Sequence, residues 1–327
     1  MSAAARLRTR WLQDFPRRDR EHCGQDISGV LFGWLSDPEW VAAARQIPPA
    51  ERRALMAQFG WETFDENRAG YAARLRANAA PLAPIWNEDE REEILRDHTA
   101  ALWVELSDRI SFCDPSETEA LLADVRFAGF EHIEAGLERR QGIIFLSVHQ
   151  SHPSFGFKHP WIEPLRVWGV SHDNELGQSG TALLLQGVSD AIKLLPAAPR
   201  AVRDILRALS ANQCLAVYND FVYPETAGIA SPLFGRNVLI SRSALAIALK
   251  TGATILPVTI ARQMPWDDGG VEVEVFAPLR LDDLDRSDPS ALRLGALRLG
   301  IATECLIRRY PAQWRLWDTL ASRWQSC

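Results

Sequence analysis

Gln141-Gly142-Ile143-Ile144-Phe145-Leu146-Ser147-Val148-His149-Gln150-Ser151-His152-Pro153-Ser154 is the stretch whose reading decides the fold. Behind Gly142, the run Ile143 to Val148 has the length and β-branched content of a strand buried on both faces. It ends on a histidine and a polar loop broken by Pro153. Ligands and catalytic groups gather at the carboxyl edge of open α/β sheets, so His149 is the first candidate functional residue.

Outward from this strand, short apolar runs alternate with helical patterns. Strands are expected over Val125–Phe130, Leu165–Val170, Ile192–Leu195, Cys214–Tyr218 and Thr254–Ile260. Helices are expected over Glu131–Arg140, Thr181–Asp190, Pro199–Ala211 and Ser241–Thr251, the last stopped by Gly252. The alternation predicts an α/β fold, a mostly parallel central sheet flanked by helices. Val271-Glu272-Val273-Glu274-Val275 alternates strictly, as an exposed or edge strand does. Two closing helices are expected, Pro289–Arg309 and Pro311–Trp324.

Before Val125 the pattern is helical throughout. Asp37-Pro38-Glu39 opens one stretch, Pro48-Pro49 precedes another around Glu51–Phe59, and Asn87 with Glu90 forms a capping-box start for a helix reaching about Ile110. Asp114-Pro115-Ser116-Glu117 repeats the same start signal. Residues 1–124 thus read as an N-terminal helical region and 125–327 as an α/β domain, the two forming one compact unit. Trp34, Trp40, Trp61, Trp86 and Trp103 read as core or groove anchors.

Bulk properties exclude several classes. The 327 residues are 47% hydrophobic and 24% charged, and no apolar run approaches the roughly 18 residues of a membrane span, so a soluble, cytoplasmic protein is expected. The start, with six arginines before residue 21 and no apolar core, is no signal peptide and reads as a solvated tail. Five cysteines without CxxC spacing suggest reduced thiols, neither disulfides nor zinc. A net charge of −6 argues against broad attraction to nucleic acid. There is no GxxxxGK[ST] or GxGxxG phosphate-binding motif. His149, His152 and His159 cluster, with His172-Asp173 beyond, but the spacing suits no metal site. His149 reads as a general base, the other three as polar loop residues.

From Asn87 to the C-terminus the chain resembles the bacterial lipid A biosynthesis acyltransferase family, within the lysophospholipid acyltransferase superfamily. Phe127-Ala128-Gly129-Phe130-Glu131-His132-Ile133-Glu134-Ala135 and Gly142 to His149 resemble the family's "GxEHLxxA…GxILLxxH" run. Leu233-Phe234-Gly235-Arg236 resembles its "FFGR", Ser243 to Val258 its helix, "TGA" turn and "PV" strand, and Pro311-Ala312-Gln313-Trp314 its "PEQW". The resemblance implies an acyltransferase-like domain in which His149 takes the proton of an acceptor hydroxyl while a carboxylate five positions later orients the ring.

Three departures from the family pattern follow. The fifth position is Ser154, a neutral partner that supports an imidazolium less than a carboxylate does, by about 1–2 kcal/mol. A family Asp-Gln-Asp-like segment is replaced by Tyr218-Asn219-Asp220, with Tyr223-Pro224-Glu225-Thr226 one loop later. The N-terminus lacks the family's apolar anchor, so no stable membrane insertion and a soluble acceptor are expected. His149, Ser154 and Asp220 are the candidate catalytic residues; His152, Glu225 and Arg236 the candidate substrate contacts. No metal and no cofactor are expected beyond the acyl donor as co-substrate.

The expected reaction moves an acyl or aminoacyl group from an acyl carrier protein, a coenzyme A thioester or an aminoacyl-tRNA to a small amine, hydroxylamine or hydroxyl, as in specialised-metabolite biosynthesis. An amine or hydroxylamine best tolerates a missing carboxylate. The alternatives are a non-catalytic protein binding an acyl chain or a partner on the same fold, and a thioesterase-like hydrolase.

Overall fold

A computed structural model describes residues 2–14, 34–35, 37–67, 70–171, 191–196, 199–220, 222, 228–284 and 289–320. It divides into two units, one built from Met1–Asp124, Ala261–Val271 and Pro311–Ser322, the other from Val125–Ile260 and Glu272–Tyr310.

The first unit contains helices α1 (Ala3–Asp14), α2 (Pro38–Arg45), α3 (Pro49–Glu66), α4 (Tyr71–Ala79), α5 (Glu88–Ser111) and α6 (Pro115–Ala123). Their starts follow the local chemistry. Asp37 and Asp114 cap α2 and α6 with their carboxylates, and each helix has proline in its first turn. The capping box of α5 is complete, with Glu90 N donating to Asn87 Oδ1 at 3.0 Å and Asn87 N to Glu90 Oε2 at 2.7 Å. The arginine-rich start is not a solvated tail over Ala3–Asp14. Leu7 and Trp11, four residues apart on one face of α1, are buried, Trp11 stacking on Phe59 with ring centroids 5.3 Å apart. Trp34 packs against Trp40 and Trp103, so these three expected anchors are core.

Polar groups hold the C-terminal segment of this unit. The Gln313 side chain bridges the Arg262 backbone, accepting from its N–H at 2.9 Å and donating to its carbonyl at 2.8 Å. Asn78 Nδ2 donates to the carbonyls of Trp317 and Asp318, and His98 Nδ1 lies 3.1 Å from the Ala312 carbonyl. The segment is therefore pinned by side chains, and in place of the expected helix Pro311–Trp324 it forms two short 3₁₀ turns, Pro311–Gln313 and Arg315–Thr319.

The second unit carries a seven-stranded sheet of order β1-β9-β8-β2-β5-β3-β4. The strands are β1 (Val125–Ala128), β2 (Ile143–Ser147), β3 (Val167–Ser171), β4 (Ile192–Pro196), β5 (Cys214–Tyr218), β8 (Thr254–Arg262) and β9 (Val271–Val275). A separate hairpin, β6 (Gly228–Leu233) and β7 (Arg236–Ser241), went unforeseen in the sequence. The helices are α7 (Phe130–Glu138), α8 (Ser154–Phe157), α9 (Pro199–Ser210), α10 (Ser243–Thr251) and α11 (Pro289–Arg309). β2 lies centrally, parallel to both β5 and β8, and residues 143–146 are buried as a strand covered on both faces must be. Parallel pairing continues from β5 through β3 to β4. β9 corrects an expectation: it is flanked by β1 and β8, because alternation reports one buried face, not a missing neighbour. The expected helix Thr181–Asp190 lies outside the described residues.

Gly142 sets the entry to β2. Its φ is +76°, and a Cβ there would meet Gln213 O at 2.8 Å and Leu209 Cα at 2.9 Å, backbone on a neighbouring segment. Gly142→Ala should cost about 2 kcal/mol or more, from left-handed strain added to the clash, read as a lower urea midpoint. His98 supplies a pH test. Burial pushes its pKa down to about 4 against 6.5 unfolded. The unfolded chain therefore takes up the proton first, and stability present above pH 6.5 is lost as pH falls toward 4. The protein should lose about 2 kcal/mol from this group between pH 7.5 and pH 5. In His98→Asn, which keeps an N–H donor but does not titrate, that part of the loss should vanish; an unchanged pH slope in urea melts would refute the assignment.

Candidate active site

The register of two parallel strands builds the site. Ser147 on β2 pairs with Tyr218 on β5, and the ladder runs one step further, Asn219 N donating to Ser147 O at 2.9 Å. His149 and Asp220 each lie two residues beyond that pair, so both emerge side by side at the carboxyl edge of the sheet. His149 Nδ1 is 2.7 Å from Asp220 Oδ1, and the His149 backbone N–H donates to Asp220 Oδ2 at 2.8 Å. Each carboxylate oxygen thus contacts His149.

The Asp220 side chain is fully buried, whereas the His149 side chain keeps 31% exposure. An ionised carboxylate only accepts, so Nδ1 carries the proton and the lone pair of the neutral ring is on Nε2. Charge-assisted bonds of this kind are about twice as strong as neutral ones. An imidazole, a buried carboxylate that fixes its tautomer, and partial exposure of the ring form an arrangement able to exchange a proton with an incoming group. Tyr218 adds a third contact, its ring lying 4.3 Å from the imidazole at an interplanar angle of 25°.

Side chains between these positions tie the edge down. Ser147 Oγ donates to Val258 O on β8 at 3.0 Å. Asn219 turns to α11, its Nδ2 donating to Thr303 Oγ1 at 2.9 Å, and Gln150 Nε2 donates to the carbonyls of Leu306 and Tyr310.

The other candidates are placed as follows. Ser154 does not meet the His149 ring. It opens α8 fully buried, its Oγ without a hydrogen-bond partner, because Asp220 arriving from β5 already occupies Nδ1. His152 is buried at 3% exposure, and its Nδ1 accepts from Ser154 N at 3.3 Å, so it braces the turn and offers little surface to a substrate. His159 accepts from Trp161 N in the same bracing manner, and burial lowers its pKa. Arg236 starts β7 at the hairpin turn. Ser241, at the other end of β7, donates to Asn219 O, so Arg236 is five residues away, about 17 Å along the strand. The Leu233-Phe234-Gly235-Arg236 match is this turn itself, with φ +54° at Phe234 and +72° at Gly235, the primed geometry of tight hairpins. Glu225 and His172 lie outside the described residues.

Sequence reading missed the Tyr218 stack; its only signal was an aromatic two residues before a candidate acid. Among the described residues no group of three or more His, Cys, Asp or Glu is arranged to hold a metal ion, and no helix is long and apolar enough to cross a membrane.

The family model for bacterial lipid A biosynthesis acyltransferase matches residues 32–158 and 189–326. Among curated proteins none matches the chain. The family match covers helices α2 to α6 of the first unit, the strand leading to His149, the segment holding Asp220 and the pinned C-terminal turns, and with most of its length so matched the chain belongs to the bacterial lipid A biosynthesis acyltransferase family.

Proposed function

We propose that this chain transfers an acyl or aminoacyl group to a small soluble acceptor, with His149 as general base and Asp220 as the residue that positions it. Membership of the family supports acyltransferase activity. The observation that carries the finer reading is the 2.7 Å contact of His149 Nδ1 with a buried carboxylate whose second oxygen is held by the His149 N–H.

In the proposed reaction, the acceptor amine, hydroxylamine or hydroxyl gives its proton to Nε2 while its heteroatom attacks the donor carbonyl carbon. The C–S bond of a thioester, or the ester C–O bond of an aminoacyl-tRNA, then breaks, and the imidazolium returns the proton to the leaving sulfur or oxygen. Asp220 stays ionised and stabilises the transient imidazolium, as the carboxylate of a Ser-His-Asp arrangement does. A carboxylate on the ring brings hydroxyl acceptors back within reach alongside amines. The donor is an acyl carrier protein, a coenzyme A thioester or an aminoacyl-tRNA, acting as co-substrate without a further cofactor, in the cytoplasm.

The assay is transfer from octanoyl-coenzyme A, octanoyl carrier protein or a mixed aminoacyl-tRNA pool to hydroxylamine; turnover with none of them would count against the reading. With the donor that reacts, His149→Ala and Asp220→Asn should each lose about 10³- to 10⁴-fold in kcat. Undiminished turnover in His149→Ala sinks the catalytic claim, and water-dependent product without hydroxylamine adduct would make the protein a hydrolase. Ser154→Ala removes a hydroxyl with no partner, so kcat should stay within about twofold and stability within about 1 kcal/mol; a large loss of activity would return the orienting role to Ser154.

A further inference from the structure

We propose that Tyr218 is a positioning residue of the transfer, its ring face holding the His149 imidazole in plane and favouring the imidazolium formed during proton transfer. The inference rests on His149 being the base. Asp220 fixes the imidazole at one edge, through Nδ1, a contact that by itself permits tilt about that bond. A face contact opposes such tilt, and the Tyr218 ring supplies one as a close, near-parallel stack with ring centroids 4.3 Å apart at 25°.

Strand register makes the stack possible. Tyr218 is the last residue of β5 and lies opposite Ser147, two residues before His149. Residues two apart along a strand share a face, so Ser147 and His149 on one strand, and Tyr218 and Asp220 on the other, point the same way. Ser147 is small and its hydroxyl is turned onto Val258 O. The tyrosine ring therefore has room to reach diagonally to residue 149, a distance aromatic side chains span. The imidazole is thus held by a carboxylate at its edge and a π face on one side, both delivered by the end of β5.

The chemistry follows from the change in charge. A neutral imidazole gains dispersion and burial from the stack. Once it takes the acceptor's proton it becomes a cation over the electron-rich face of a phenol ring, an attraction the neutral ring lacks. Tyr218 therefore favours the charged state over the resting one, and only such differential contacts raise kcat.

The test compares Tyr218→Phe and Tyr218→Leu with the wild type in the hydroxylamine transfer assay, with His149→Ala as control. Tyr218→Phe keeps the ring and should stay within about threefold of wild type. Tyr218→Leu keeps bulk without the π face and should lose about 5- to 30-fold in kcat with KM within about twofold. In NMR spectra of the full chain, the upfield ring-current shift of the His149 ring protons should persist in Tyr218→Phe and disappear in Tyr218→Leu. Wild-type kcat in Tyr218→Leu, an unchanged ring-current shift in that variant, or an equal loss in both variants overturns the inference while leaving the base assignment intact. Turnover surviving in His149→Ala overturns the base and this inference together.

Discussion

The in-register parallel pairing of β2 with β5 is the constraint on which the site depends. Opposing Ser147 with Tyr218 brings the next same-face residues of both strands into contact, and those residues are a histidine and an aspartate. A one-residue slip would turn one of them to the other face. The pairing is held by a buried β2 between two parallel neighbours and by Gly142 at its entry, so ordinary core packing sets the geometry of a titratable pair.

The site also shows how a chain can depart from a motif and still bring a carboxylate to the motif's histidine. The residue five positions after His149 is a buried serine whose hydroxyl bonds to nothing, while a carboxylate 71 residues later takes Nδ1. Orientation of an imidazole requires an acceptor at the right point in space, and strand order can supply it from either direction. The first unit follows a similar economy: Asn78, His98 and Gln313 satisfy main-chain groups of the C-terminal segment in place of regular secondary structure.

Several features were legible locally and others were not. Capping residues located helix starts at Pro38, Glu88 and Pro115, and Gly252, at φ +81°, ends α10 as expected. The apolar runs of β2, β5 and β8 stood out because strands inside a parallel sheet need near-continuous apolar sequence. The β6–β7 hairpin did not, since Phe234-Gly235 lacks the usual Asn-Gly or Asp-Gly signal. The start of the chain misled for another reason: six arginines obscured Leu7 and Trp11, although two apolar residues four apart suffice to seat a helix whose arginines find acids such as Glu62 and Asp37.

By itself the sequence determined the α/β class, the strand that ends at His149 and the family, because periodicity, caps and ordered short motifs are local properties of the chain. Only the tertiary structure decided what His149 touches. Ser154 is five residues away and does not bond to the ring, whereas Asp220 and Tyr218, about seventy residues away, meet its edge and its face. The physical reason is that strand order and register are set by packing of the whole sheet, and no stretch of sequence around a histidine encodes which strand will lie beside it.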